Sequence, residues 1–187
     1  MKEYIMKNVS IYTLLIALMV TVFACGNGEE TPAPAEEPAD DVRTIEIIGT
    51  DQMVFVVARE EDGLVTGQQR GEEYELEEIH ASPGEQLRII LRTRSDLPGI
   101  AMSHNLAILN LGTNVTEFIN ASIQAADNGY IAPDFEDQVM IKTAMLAGGE
   151  SDTIEFTAPD EAGEYDYVCS FPGHYSAGMA GILVVEE

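Results

Sequence analysis

The chain has 187 residues, with 33 Asp and Glu against nine Lys and Arg, three His, two Cys and no Trp. A formal net charge of −24 excludes nucleic acid as a partner, because phosphate binding rests on clustered cations that displace counterions. Two cysteines cannot build a disulfide framework, and the length suits one domain with short appendages.

Residues 1–24 read as an address. Lys2 and Lys7 form a basic start, and Ile11 to Phe23 is almost wholly apolar. That apolar run is shorter than the roughly 20 residues that cross a bilayer as a helix, and it suits the core of a secretory signal. Its end, Val22-Phe23-Ala24-Cys25, resembles a bacterial lipobox, which implies a lipid on Cys25; an ordinary signal peptide is the alternative. Residues 25–42 follow as a tether: Pro32, Pro34, Pro38 and six acids without periodicity make a solvated linker. A lipidated Cys25 leaves Cys169 as the one thiol of the domain, so that domain can hold no internal disulfide. A free thiol outside the cytoplasm is a liability unless something occupies it.

Residues 43–187 form one domain with 26 acids and seven Lys and Arg, Lys142 being its sole lysine. The acidity fits either solubility in a saline habitat or attraction of a basic partner. At about 1 M salt the Debye length is roughly 3 Å, which weakens long-range steering. Thr44–Ile48 and Met53–Val57 are expected strands around a turn at Gly49-Thr50-Asp51. Glu60–Glu73 is polar and contains Gly, so a loop is expected. Tyr74–Ala81 and Gln86–Thr93 are strands on either side of the Ser82-Pro83-Gly84 turn. His80 has no other candidate ligand near it in sequence and reads as a surface or edge histidine. His104 opens a strand, Ser103–Leu109, after the Pro-Gly loop Leu97–Met102. Asn114-Val115-Thr116-Glu117 is a capping box for a helix to about Ala126. Val139–Ala144, Asp152–Phe156 and Glu164–Cys169 complete the strands before a last one at Ile182–Val185. Short strands, frequent turns, one helix and no βαβ alternation predict an antiparallel β-sandwich with a short helical insertion.

The chemistry concentrates between the last two strands. Cys169, His174 and Met179 lie on one turn-rich loop with Pro172, Gly173 and Gly178, offering a thiolate, an imidazole and a thioether. Taken singly, a Cys or Met at a strand end is more often core than ligand. Together they are three of the four donors of a mononuclear blue-copper site, which needs one further His. His80 and His104 are the available histidines.

The loop resembles that of the small blue copper proteins (cupredoxins), and Cys169-Ser170-Phe171-Pro172-Gly173-His174 is close to the azurin pattern. The intervals of four residues between Cys169 and His174, and again between His174 and Met179, resemble those of auracyanin and rusticyanin. Gly49–Phe55, Leu97, Pro98, Met102, His104 and Asn105 also match azurin. The resemblance implies a Greek-key sandwich over about residues 44–187 holding one copper on His104, Cys169, His174 and Met179. It further implies a hydrogen bond from Asn105 to the Cys loop, with Ser170 and Phe171 beside the metal. A weak carbonyl contact falls at Ser103, where azurin has Gly. The expected apolar port for electrons is Leu97, Pro98, Ile100, Ala101, Met102, Phe171, Pro172 and Ala177.

These readings lead to an extracytoplasmic, membrane-anchored, monomeric electron carrier that is not an enzyme. Its expected partners are a cytochrome c, a quinol-oxidising complex or a terminal oxidase. A copper carrier or chaperone shares every ligand and stands as the alternative. A thiol enzyme with Cys169 as nucleophile and His174 or His104 as base is the rival from another class.

Overall fold

The computed structural model describes residues 42–187. The expected signal segment, Cys25 and nearly all of the tether lie outside the described residues. Among the described residues no helix is long and apolar enough to cross a membrane.

Among the described residues, twelve strands and one α-helix follow in order. The strands are β1 (Arg43–Thr50), β2 (Phe55–Val57), β3 (Leu64–Arg70), β4 (Glu73–Ala81), β5 (Gln86–Arg94), β6 (Ser103–His104) and β7 (Ala107–Leu109). Helix α1 (Val115–Ser122) precedes β8 (Val139–Lys142), β9 (Leu146–Ala147), β10 (Ser151–Thr157), β11 (Gly163–Val168) and β12 (Ala180–Val185). The main sheet has the order β10-β5-β1-β2-β4-β12-β11-β7-β8, with β3 on the flank of β4; β6 and β9 form a separate ribbon.

Alternation creates the interior. Along β5, Leu87, Ile89, Leu91 and Thr93 are buried while Arg88, Ile90, Arg92 and Arg94 face outward. Ile45 and Ile47 of β1, Leu76 and Ile79 of β4, Tyr165 and Tyr167 of β11 and Leu183 of β12 join the same core. Strands from both halves of the order share that core, so the sheet curls over itself into a nearly closed sandwich.

Most pairings are antiparallel, but β1 runs parallel to β5 and β12 parallel to β4. Each parallel pair joins strands that are not consecutive in the chain. Glu60–Glu73 differs from expectation, since β3 lies inside it. Its register on β4 shifts at Val65/Thr66 and again at Thr66/Gln69, as befits a bulged edge strand with polar residues on both faces.

Helix α1 starts as its cap predicts: Asn114 Oδ1 accepts the Glu117 N–H at 3.2 Å, a contact worth about 1 kcal/mol. It stops at Ser122, earlier than expected, and tight turns carry the chain on to β8. Phe118 and Ile119 pack with Leu109, Ile131 and Val168 in a second, smaller cluster on the outer side of β7 and β11.

Candidate metal centre

The Cys loop is fixed at both ends. β11 delivers Cys169, and β12 begins one residue after Met179. The Cys169 N–H donates to the Met179 carbonyl at 3.1 Å, closing the loop at its neck. Inside it, His174 N–H reaches the Phe171 carbonyl at 3.1 Å, and Met179 N–H reaches the His174 carbonyl at 3.0 Å. Gly173 and Gly178 adopt φ of +89° and +103°, a region that L side chains disfavour, so these two glycines permit the tight path.

His104 comes from β6, paired with Leu146 of β9. A side chain at Gly49 would press on the His104 ring, 2.8 Å from Cδ2, so the glycine at the end of β1 lets backbone back the imidazole directly. Asn105 ties the two regions together. Its Nδ2 donates to Ser170 Oγ and its Oδ1 accepts the Ser170 N–H, each at 2.8 Å and fully buried. Thr143 Oγ1 accepts the Leu106 N–H at 3.0 Å and holds the strand beyond.

The donors converge. His104 Nδ1 and His174 Nδ1 lie 3.1 Å apart, and Cys169 Sγ lies 3.4 Å from His174 Nδ1 and 4.0 Å from His104 Nδ1. The point equidistant from the three is about 2.1 Å from each, within the span of ordinary metal–imidazole and metal–thiolate bonds. All three residues are buried, His104 and Cys169 completely. Met179 is fully buried in the same core cluster as Cys169. Burial holds both imidazoles neutral, pushing each down to about 4; for His104 the nearby His174 adds to the effect. Burial also pushes the Cys169 thiol up to about 12, opposed by the backbone N–H groups of Asn105 and Phe171 near the sulfur. The two imidazole Nδ1 atoms face each other with the sulfur beside them. Once the thiol proton is displaced, that set can hold a cation, and a soft thiolate with two imidazoles and a thioether suits copper.

The structure therefore brings His104, Cys169, His174 and Met179 into position for one copper. His80 lies elsewhere, on β4, with Nε2 at 2.8 Å from Glu78 and Nδ1 at 2.7 Å from Glu186. Ser103 is buried and its Oγ–H donates to the Gly99 carbonyl at 2.7 Å. Of the apolar port, Leu97, Pro98, Ile100, Ala101 and Ala177 are exposed, Ile100 at 92%; Pro172 is half-buried, and Met102 and Phe171 are buried beneath. Gly49 and Thr143 escaped sequence reasoning as supports of the site. Gly49 stood within the azurin-like segment but read as a turn, and Thr143 read as an ordinary strand residue.

Comparison with known proteins agrees with this geometry. Residues 62–186 match the family described as copper binding proteins, plastocyanin/azurin family. Auracyanin-B of Chloroflexus aurantiacus is 39% identical over 87 residues, 46% of this chain and 37% of that protein. The chain thus spans little more than a third of Auracyanin-B. Azurin-1 of Alcaligenes xylosoxydans xylosoxydans is 32% identical over 117 residues, 60% of this chain and 88% of its own length. The crystal structure of auracyanin A, a blue copper protein from Chloroflexus aurantiacus, superposes with a TM-score of 0.59 at 26% identity, covering 78% of this chain and 99% of that one. By sequence, fold and donor set together, the chain belongs to the plastocyanin/azurin family of copper binding proteins.

Proposed function

We propose that this protein is a blue copper electron carrier whose metal would be held by His104, Cys169 and His174, with Met179 as the weak fourth donor. The observation that carries this reading is the convergence of Cys169 Sγ and two imidazole Nδ1 atoms on one buried point. Copper supplies the Cu(II)/Cu(I) couple and hence one electron per cycle. The chain's own residues hold the donors in a fixed, dry arrangement through the Cys169–Met179 neck and the Asn105–Ser170 pair. The N–H groups of Asn105 and Phe171 draw electron density from the sulfur and thereby tune the potential. The Ser103 carbonyl provides at most a weak further contact.

In this reading the uncharged surface of Leu97, Pro98, Ile100, Ala101, Pro172 and Ala177, with Met102 buried beneath it, is the port for a partner. That partner is a cytochrome c, a quinol-oxidising complex or a terminal oxidase of a respiratory or photosynthetic chain. A lipid on Cys25 and the tether of residues 25–42 hold the monomeric domain, residues 43–187, on the outer side of a membrane. A handing-on role for copper is disfavoured by a site whose ligands are 0–2% exposed. Thiol catalysis is disfavoured by the same burial, because a nucleophilic cysteine needs a lowered pKa and access, and Cys169 has neither.

Optical and electron paramagnetic resonance spectra of the copper-loaded protein test the reading. An intense visible band is expected, lost in Cys169→Ser and kept in Met179→Leu. The Met179 variant should show a raised potential, because losing a weak donor destabilises Cu(II) more than Cu(I). A colourless wild-type protein that binds copper stoichiometrically would refute the blue-copper assignment.

A further inference from the structure

Among the described residues, Met53 and Tyr130 are the non-glycine positions with positive φ. Tyr130 has φ +57°, an outlier for a bulky side chain that persists only where the surroundings enforce it. They do so here. Tyr130 N–H donates to the Ala125 carbonyl at 2.9 Å, and Ile131 N–H to the Asn128 carbonyl at 3.2 Å. Asn128 Nδ2 bridges the Ile131 carbonyl at 2.8 Å and Glu136 Oε1 at 2.7 Å. The backbone on both sides of the tyrosine is pinned.

What this conformation achieves is a change of direction. Ile131 and Phe135 pack into the cluster around α1, whereas Tyr130 packs against the main core. Its ring meets Phe171 edge-on, centroids 5.2 Å apart and planes at 68°. Phe171 in turn lies 4.7 Å from the His174 ring, and His174 lies 4.8 Å from His104. Four rings thus run from the helical insertion to both histidines, through the residue whose N–H faces the Cys169 sulfur.

We propose that Tyr130 is a positioning residue for the copper site: its ring, delivered by a left-handed backbone, clamps Phe171 over His174 and seals the Cys169 sulfur from water. The proposal rests on the copper-site reading above. The helical insertion thereby becomes part of the metal centre's wall.

The test uses the full chain with Tyr130→Asn, which keeps the left-handed backbone and removes the ring, and Tyr130→Phe, which keeps the ring. In the metal-free protein, alkylation of Cys169 by N-ethylmaleimide, followed by mass spectrometry of its peptide, should be at least tenfold faster in Tyr130→Asn. Tyr130→Phe should stay within twofold of wild type. In the copper-loaded protein Tyr130→Asn should show a lowered reduction potential, since water at the sulfur and a looser N–H contact both favour Cu(II), and Tyr130→Phe should restore it. A Tyr130→Asn protein with wild-type alkylation and potential, altered in melting temperature alone, overturns the proposal. If Tyr130→Asn does not fold, Tyr130→Gly removes ring and backbone strain together and carries the same expectations. A wild-type protein that never turns blue would sink the copper reading, while the alkylation rates still decide whether Tyr130 guards the thiol.

Discussion

Cys169 shows how one residue's environment sets a pH profile. Its thiol is pushed up to about 12 and the two histidines down to about 4, so between those limits the metal-free site holds one displaceable proton. Metal binding must expel it, because the thiolate is the ligand. Apparent affinity for Zn(II) should therefore rise about tenfold per pH unit across the neutral range, with one proton released per metal. Competitive titration in weakly buffered solution measures both, and a pH-independent affinity would show the thiol already ionised. The same groups shape stability without metal. The histidines' folded pKa is depressed, so their contribution is lost as pH falls from 6.5 towards 4. The raised Cys169 pKa destabilises the fold as pH rises from 9 towards 12. Thermal unfolding of the metal-free protein should peak between these windows. At this scale the sequence was highly informative, because metal donors are few and their intervals short. Tyr130 was illegible for the opposite reason: its meaning lies in a contact with Phe171, distant along the chain, and in a backbone angle that no local motif announces.

Among elements, alternation revealed most strands and the cap revealed the start of α1. β3 stayed hidden because after Leu64 and Val65 it runs Thr-Gly-Gln-Gln-Arg and its register slips, so no hydrophobic period marked it. The parallel pairing of β12 with β4 was equally invisible, being a property of two segments far apart in sequence. That pairing has a specific lock. Tyr167 of β11 reaches across Gly181 of β12, and its hydroxyl donates to the Leu76 and Glu77 carbonyls of β4 at 3.2 and 3.3 Å. A Cβ at position 181 would collide with the Tyr167 ring, its hydroxyl and the Glu77 carbonyl. Gly181→Ala should therefore cost about 3 kcal/mol or more, at the upper end of overpacking effects. Adding Tyr167→Leu should recover part of the loss, since the backbone clash with Glu77 remains. Urea unfolding of the single and double variants checks this, and a neutral Gly181→Ala would mean that the three strands separate easily.

For the whole molecule, charge and its local absence matter together. Residues 43–187 carry 26 acids, yet the exposed Leu97, Pro98, Ile100, Ala101 and Ala177 present none. A partner can approach there without stripping water from carboxylates, which costs several kcal/mol per buried ion. Ala101→Glu or Ala177→Glu should slow electron exchange with the partner at least about tenfold while leaving colour and potential nearly intact, as expected if desolvating one ion costs over about 1.4 kcal/mol. Stopped-flow rates decide it: port variants at wild-type speed, with distant charge reversals slowed, would move the exit to another face.

The position of β12 between β4 and β11 also sets an order of events. The loop carrying Cys169, His174 and Met179 is closed only when residues 180–185 pair with β11, just before the loop, and with β4, laid down far earlier in the chain. A chain emerging vectorially from a ribosome or a translocation pore would expose its cysteine before anything could enclose it. If copper capture waits on that closure, a chain truncated before β12 should retain the donors and yet bind the metal far more weakly, which titration of the truncated chain would measure.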